Sequence, residues 1–225
     1  MIYTGEEALR WKKLRDVSIV VAVIFLGLGV FVHPFFFLFA VAFGICTKYA
    51  TGKFKRWASG FEGEYQVIEA LSRAKCIKGV LLSDVVLPNM RSNIDHVLIC
   101  EQGIFAIETK AYTGIYHAEG DEWYHETLSG TRIRIKSLSR VAKRNAAMLS
   151  RFLNEKYGEK YFVQPILVFA GATVFDGVST VPVLFPSRIE EYICSLPKIL
   201  SKQEIVRLSD LLASYSGHVM EVGKL

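Results

Sequence analysis

The sequence is poor in cysteine and has no Cys-x-x-Cys pair: Cys46, Cys76, Cys100 and Cys194 are scattered. That spacing gives neither a zinc site nor a disulfide framework, and it points to a reducing cytoplasm for the globular part. Charge is missing from Val17 to Thr47, apart from the titratable His33. The same stretch lacks a small-x-small cleavage site before polar sequence and is too long for a signal peptide. There is no internal repeat and no low-complexity tract. No helix-turn-helix or other base-reading module is visible.

What is present begins with that uncharged run. Roughly thirty apolar residues exceed the ~20 that one helix needs to cross a bilayer. His33-Pro34 divides them, so residues 17–47 read either as one tilted helix kinked at Pro34 or as a re-entrant hairpin turning there. Residues 1–16 form a basic flank and residues 48–58 a basic linker. Basic residues on both sides do not choose an orientation cleanly, but the acid-free second flank places the C-terminal domain inside. The expectation is a chain held in the lipid bilayer of an inner or plasma membrane, its globular domain facing the cytoplasm.

About 170 residues remain, enough for one core and not two. Against 22 acidic residues stand 27 basic ones, a formal net charge of +5, compatible with nucleic acid or an anionic surface as partner. Gly60-Phe61-Glu62-Gly63-Glu64 opens an amphipathic helix, with Tyr65, Ile68 and Leu71 at helical spacing. A strand over 80–87 stops at Pro88-Asn89. Strands follow over 93–100 and 104–111, then shorter ones at 114–117 and 123–124 around the acidic turn 119–122, and an edge strand at 132–135. A helix over about 139–157 puts Ala142, Ala146, Leu149 and Leu153 on one face. Strands at 163–170 and 181–185 and helices at 187–194 and 202–215 close the chain. This order predicts a mixed α/β sheet flanked by helices on both sides.

Three charged residues stand where these strands should be apolar: Asp95, Glu108 and Lys110. A lone buried charge is costly, so the three are expected to satisfy one another. Side chains alternate along a strand, which puts Glu108 and Lys110 on one face. The strand carrying Asp95 pairs with theirs through the turn at Glu101-Gln102-Gly103, and the Thr109 carbonyl reaches the cluster edge. Hard oxygen donors of this kind suit Mg²⁺, and a lysine beside metal-bound water can position it or stabilise charge on a phosphate. His96 points to the opposite face as a packed or hydrogen-bonded residue.

Gly60-x-x-Gly63-Glu64, Asp84-Val85-x-Leu87-Pro88, Ile94-Asp95-His96-Val97 and Gly103-Ile104-Phe105-x-Ile107-Glu108-Thr109-Lys110-Ala111-Tyr112-x-Gly114 together resemble the nuclease-related domain family, NERD, of the PD-(D/E)xK superfamily. The resemblance covers residues 59–170 and implies a restriction-endonuclease-like core. It makes Asp95, Glu108 and the Thr109 carbonyl the metal ligands, Lys110 the catalytic lysine, and Glu64 a carboxylate approaching the metal directly or through water. Membrane spans attached to such domains are common in the family. One departure stands out: where many members carry a site Gln on the following helix, this chain has Val141, with Asn145 one turn later as a substitute. Residues 171–225 resemble nothing assignable and are expected to complete the same domain.

The implied activity is metal-dependent phosphodiester hydrolysis, with Mg²⁺ or Mn²⁺ as cofactor and DNA as the expected substrate, in DNA processing or defence against foreign DNA. Arg132, Arg134, Lys136, Arg140, Lys143 and Arg144 form a basic run suited to phosphate contacts. The competing reading, which Val141 favours, is a weak or inactive membrane-tethered binding or scaffold protein on the same fold. Neither a protein partner nor homo-oligomerisation is readable from the sequence.

Overall fold

The structure, a computed structural model, describes residues 2–88, 90 and 92–223; Asn89, expected at the end of the first strand, lies outside them. Two compact units are formed, Ile2–Phe61 and the globular unit from Glu62 onward.

In the first unit, helix α1 (Ile2–Phe31) and the beginning of helix α2 (Phe36–Ser72) are separated at His33-Pro34. Proline has no N–H to continue the helical ladder, and the His33 ring accepts the N–H of Phe35 at 3.1 Å. The helices then run back alongside each other. Phe25 stacks on Phe39 with ring centroids 5.0 Å apart, Ser18 Oγ meets Cys46 Sγ at 3.4 Å, and Trp11 packs edge-on against Tyr49 at 5.8 Å. Partners thus rise in number on one helix as they fall on the other, the pattern of an antiparallel hairpin. Among the described residues, Gly5–Phe31 is the one helix long and apolar enough to cross a membrane. The stretch expected to be a linker, 48–58, is helical throughout, so Gly60 continues a helix rather than opening one. It contains no proline, and the Thr47 and Thr51 hydroxyls donate to the carbonyls of Phe43 and Thr47 one turn back (2.9 and 2.7 Å), leaving the ladder intact.

The second unit contains strands β1 (Gly79–Val85), β2 (Ile94–Cys100), β3 (Gly103–Lys110), β4 (Gly114–Gly120), β5 (Glu122–Glu126) and β6 (Arg132–Ile135), helix α3 (Leu138–Tyr157), strands β7 (Val163–Phe169), β8 (Thr173–Ser179) and β9 (Val183–Leu184), helices α4 (Ile189–Cys194) and α5 (Lys202–Ala213), and strand β10 (His218–Val222). They build two sheets rather than one: β10-β1-β2-β3-β7-β9 and β6-β5-β4-β8. In the larger sheet β1, β2 and β3 pair antiparallel, while β7 joins β3 in parallel. Its central strands are apolar on both faces because helices cover both. Val97, Ile99, Ile104 and Ala106 pack under Ala146, Leu149 and Leu153 of α3 and Leu208 and Leu212 of α5. Leu98, Phe105 and Ile107 pack against Val67, Ile68 and Leu71 of α2 and Ile189 and Ile193 of α4. The predicted mixed sheet with helices on both sides is therefore observed.

β8 and β10 are strands that the sequence pattern does not announce. Gly177 interrupts the apolar alternation of β8, yet the pairing demands it: its φ is +103°, and a Cβ there would lie 2.2 Å from the Ala118 carbonyl oxygen. β10 adds an edge to β1, with Leu81 opposite Met220, so the segment after residue 170 supplies strands and helices to the same sheet. The cysteine reading needs correction as well. Cys76 and Cys194 form a disulfide, with Cα atoms 6.2 Å apart. The pairing is long-range in sequence and arises because α4 packs beside the end of α2, so no local spacing announces it.

Candidate active site

β2 and β3 pair with His96 opposite Ile107, and this register sets the faces. Asp95 shares the α3 side of the sheet with Val97 and Ile99, and Glu108 shares it with Ile104 and Ala106. The three expected charges therefore meet at the C-terminal end of β3. Lys110 Nζ donates to Glu108 Oε1 at 2.5 Å and to the Thr109 carbonyl at 3.1 Å. Asp95 Oδ2 accepts the Thr109 N–H at 2.8 Å. The second oxygen of Glu108 accepts from Asn145 Nδ2 at 2.8 Å. Asn145 lies on α3 and is 2% exposed, and it reaches the site that Val141 does not polarise.

Glu64 comes from the part of α2 that crosses the end of the sheet. A Cβ on Gly63 would sit 2.9 Å from the Ala111 Cβ and 3.3 Å from the Ala170 Cβ. The missing side chain thus lets the helix approach the ends of β3 and β7. Glu64 is buried there, close enough to add its repulsion to Asp95.

The electrostatics follow from three carboxylates facing one ammonium. Burial first, and Glu108 next, push Asp95 up to about 7, against the pull of Lys110 and the Thr109 N–H. Burial alone would lower the Lys110 pKa, but Asp95 and Glu108 outweigh it and hold the ammonium above its ordinary value. A cluster with this excess of negative charge and hard oxygen donors fits a divalent cation. Among the described residues, the group whose ligand atoms converge within 4.8 Å is Cys76, Glu190 and Cys194, whose two sulfurs are taken up by the disulfide. At the present site, Lys110 lies against both Glu108 and the Thr109 carbonyl.

His96 points the other way, as expected: its Nδ1 lies 2.9 Å from Ser83 Oγ, and burial pushes its pKa down to about 3.

The basic run is largely spoken for. Arg134 pairs with Glu122, Arg140 lies 3.8 Å from Asp121 and 3.7 Å from Glu122, Lys143 contacts Asp121 at 2.7 Å, and Arg132 lies 3.9 Å from Glu126. Arg144 donates to Asn145 Oδ1 at 3.4 Å. Lys136 instead lines a cavity of about 430 Å³ that also touches Glu108 and Lys110. The aromatic lining of that cavity, Tyr112, Tyr116 and His125, was not singled out from sequence; the signal was Tyr112 at the end of Glu108-Thr109-Lys110-Ala111-Tyr112.

Residues 59–170 match the family described as the nuclease-related domain, NERD. No curated protein and no solved structure matches the chain. With the two site strands, the carboxylates and the lysine lying inside the matched region, the chain belongs through residues 59–170 to the NERD family of nuclease-related domains.

Proposed function

We propose that the chain is a membrane-anchored, metal-dependent nuclease that hydrolyses phosphodiester bonds, with DNA as its substrate. The observation that carries this reading is the convergence of Asp95, Glu108 and Lys110 on one sheet face, with Asn145 holding the far oxygen of Glu108. Asp95, Glu108 and the Thr109 carbonyl would hold Mg²⁺ or Mn²⁺. Such an ion would supply polarisation of the phosphate and a lowered pKa for an attacking water. The chain's own residues do the rest. The Thr109 N–H orients the Asp95 carboxylate, and Asn145 orients that of Glu108. Lys110, held beside Glu108 and the Thr109 carbonyl, would neutralise charge growing on the phosphate. Glu64 adds a third carboxylate at the rim. Asn145 supports the active reading over the one Val141 favours, because it is a polar α3 side chain that reaches Glu108.

The anchor reading rests on the hairpin. Its uncharged arms, Val17–Phe31 and Phe36–Thr47, rise about 22 and 18 Å at about 1.5 Å per residue, against a hydrocarbon core of about 30 Å. This fits a hairpin entering and leaving from one side, with Arg10, Lys12, Lys13 and Arg15 on one arm and Lys48, Lys53, Lys55 and Arg56 on the other at the cytoplasmic surface.

The test is cleavage of single- and double-stranded DNA and RNA by the full chain in detergent, with Mg²⁺, Mn²⁺ or EDTA, alongside Asp95→Ala and Glu108→Ala. Cation-dependent cleavage lost in both variants is expected. Cleavage that survives both substitutions, or none on any substrate, refutes the assignment.

A further inference from the structure

The cavity beside the site has a composition that catalysis alone does not explain. Glu108 and Lys110 form one end of it. The rest is lined by the rings of Tyr112, Tyr116 and His125, by Ile135 and Lys136 ahead of α3, and by Leu138 and Val141 of α3. The rings are arranged as a group: Tyr112 stacks on Tyr116 with centroids 5.2 Å apart and planes at 26°, and His125 lies 4.9 Å from Tyr116. Tyr116 is buried and backed by Phe169 at 5.6 Å, so the platform is rigid. Tyr112, only partly buried, offers the accessible edge of the group. Lys136 is exposed, and no ion pair to it is seen among the described residues, whereas four of its basic neighbours are paired with Asp121, Glu122 or Glu126.

Planar aromatic faces beside a phosphate-handling centre are what an unstacked base needs. A base inside a duplex has both faces covered and cannot stack on these rings without leaving the stack. The volume, about 430 Å³, falls within the ~300–1,000 Å³ typical of small-molecule sites, room enough for one nucleotide.

We propose that this cavity is a base-binding subsite: it takes one unpaired nucleotide next to the scissile phosphate, its base stacking on the Tyr112–Tyr116–His125 group and its neighbouring phosphate meeting Lys136. This rests on the nuclease reading and sharpens it, making single strands or unpaired ends the substrate class. Val141 gains a purpose here, since an apolar side chain in the wall suits a base better than a polar one.

The test uses the full chain in detergent with three probes of one sequence: a 12-nucleotide single strand, the same strand with one abasic position, and its blunt duplex. Equilibrium binding is read in Ca²⁺ and cleavage in Mg²⁺. Tyr112→Leu removes stacking, Tyr112→Phe keeps it, and Lys136→Ala removes the phosphate contact; melting curves check that each variant folds. Expected are preference for the single strand, weaker binding of the abasic strand, and a rise of about 5- to 100-fold in Kd and KM for Tyr112→Leu. kcat should change little, and Tyr112→Phe should behave as the unaltered chain. Duplex bound as tightly as single strand, with Tyr112→Leu silent, overturns the subsite even if cleavage persists. Tyr112-dependent single-strand binding without any cleavage keeps the subsite and refutes the nuclease reading. No binding of any probe refutes both.

Discussion

Asn145 Nδ2 lies 2.8 Å from Glu108 Oε2 while Lys110 Nζ occupies Glu108 Oε1 at 2.5 Å, so the central carboxylate is gripped at both oxygens. Helix α3 therefore has a direct part in the site. Asn145→Ala leaves a buried carboxylate oxygen without its donor. Cleavage should fall about 10- to 100-fold, with cation affinity falling in parallel, the range seen when groups that orient metal ligands are removed. Steady-state cleavage together with a Mn²⁺ titration checks this. An unchanged Asn145→Ala would remove α3 from the mechanism.

The residues of this grip were legible to different degrees. Asp95, Glu108 and Lys110 stood out because each interrupts a run of buried aliphatics, and strand alternation put them on one face without further information. Asn145 was visible only as a helical neighbour of Val141. The Tyr116 and His125 lining was not visible at all, since those residues come from β4 and β5 of a second sheet whose existence no local pattern announces. The helix over 48–58 was missed for the opposite reason: its charge suggested a linker, but nothing in it breaks a helix. Local periodicity thus carried the elements, while cross-sheet and cross-chain partnerships needed the fold.

Lys110 separates binding from chemistry. Lys110→Ala removes the cation that lies against Glu108 and the Thr109 carbonyl. Mn²⁺ should bind at least as tightly as before, because the competing ammonium is gone. Cleavage should fall by about 10²- to 10³-fold, the loss expected for one charge-stabilising donor. Calorimetric titration and single-turnover cleavage measure the two effects separately. Loss of metal binding in this variant would mean that the lysine organises the ligands instead.

Two neighbours on β2 should give opposite pH slopes. The His96 pKa drops from 6.5 to about 3 on folding. Between those values the unfolded chain holds more protons, so this contribution is present above about pH 6.5 and is lost as pH falls towards 3. Asp95 rises from 3.8 to about 7. Its folded form holds more protons in that window, so its contribution is present below about pH 4 and is lost as pH rises to 7 without metal. Tm measured against pH in EDTA should therefore show a shallower acid limb for His96→Gln and a flatter approach to neutrality for Asp95→Asn. Saturating Mn²⁺ should remove the Asp95 slope, since a bound cation favours the carboxylate. Superimposable curves for all three proteins would contradict both assignments.

The acidic turn between β4 and β5 neutralises much of the basic run. Asp121 accepts from Ser139 at 2.6 Å and Lys143 at 2.7 Å, and these contacts hold its carboxyl well below the usual range. Trp123 joins the same network through Ser139 at 3.0 Å. Arg134→Ala or Lys143→Ala should accordingly weaken nucleic-acid binding less than about threefold, because each removes a charge already paired. Asp121→Asn should lower Tm and steepen the salt dependence of binding by freeing positive charge. Binding measured from 50 to 300 mM KCl distinguishes the cases. A large loss in Lys143→Ala would return that helix face to the substrate path.

The disulfide bears on both stability and topology. Cys76 and Cys194 are 118 residues apart in sequence, and closing a loop of that size restricts the unfolded chain by up to about 4–5 kcal/mol in the chain-entropy view. A reductant should lower Tm, Cys194→Ser should reproduce the drop, and the variant should no longer respond to reductant. The same pair reports the compartment. A reducing cytoplasm keeps such thiols reduced, so a domain facing the cytoplasm should yield two alkylatable thiols at 76 and 194 when cells are acid-quenched before lysis. Oxidation should then appear only after extraction. If the quenched protein is already cross-linked in full, the domain faces an oxidising space. The basic flanks of the hairpin, Arg10 to Arg15 and Lys48 to Arg56, would then lie on the outer surface against the positive-inside tendency, and the cytoplasmic placement would be withdrawn.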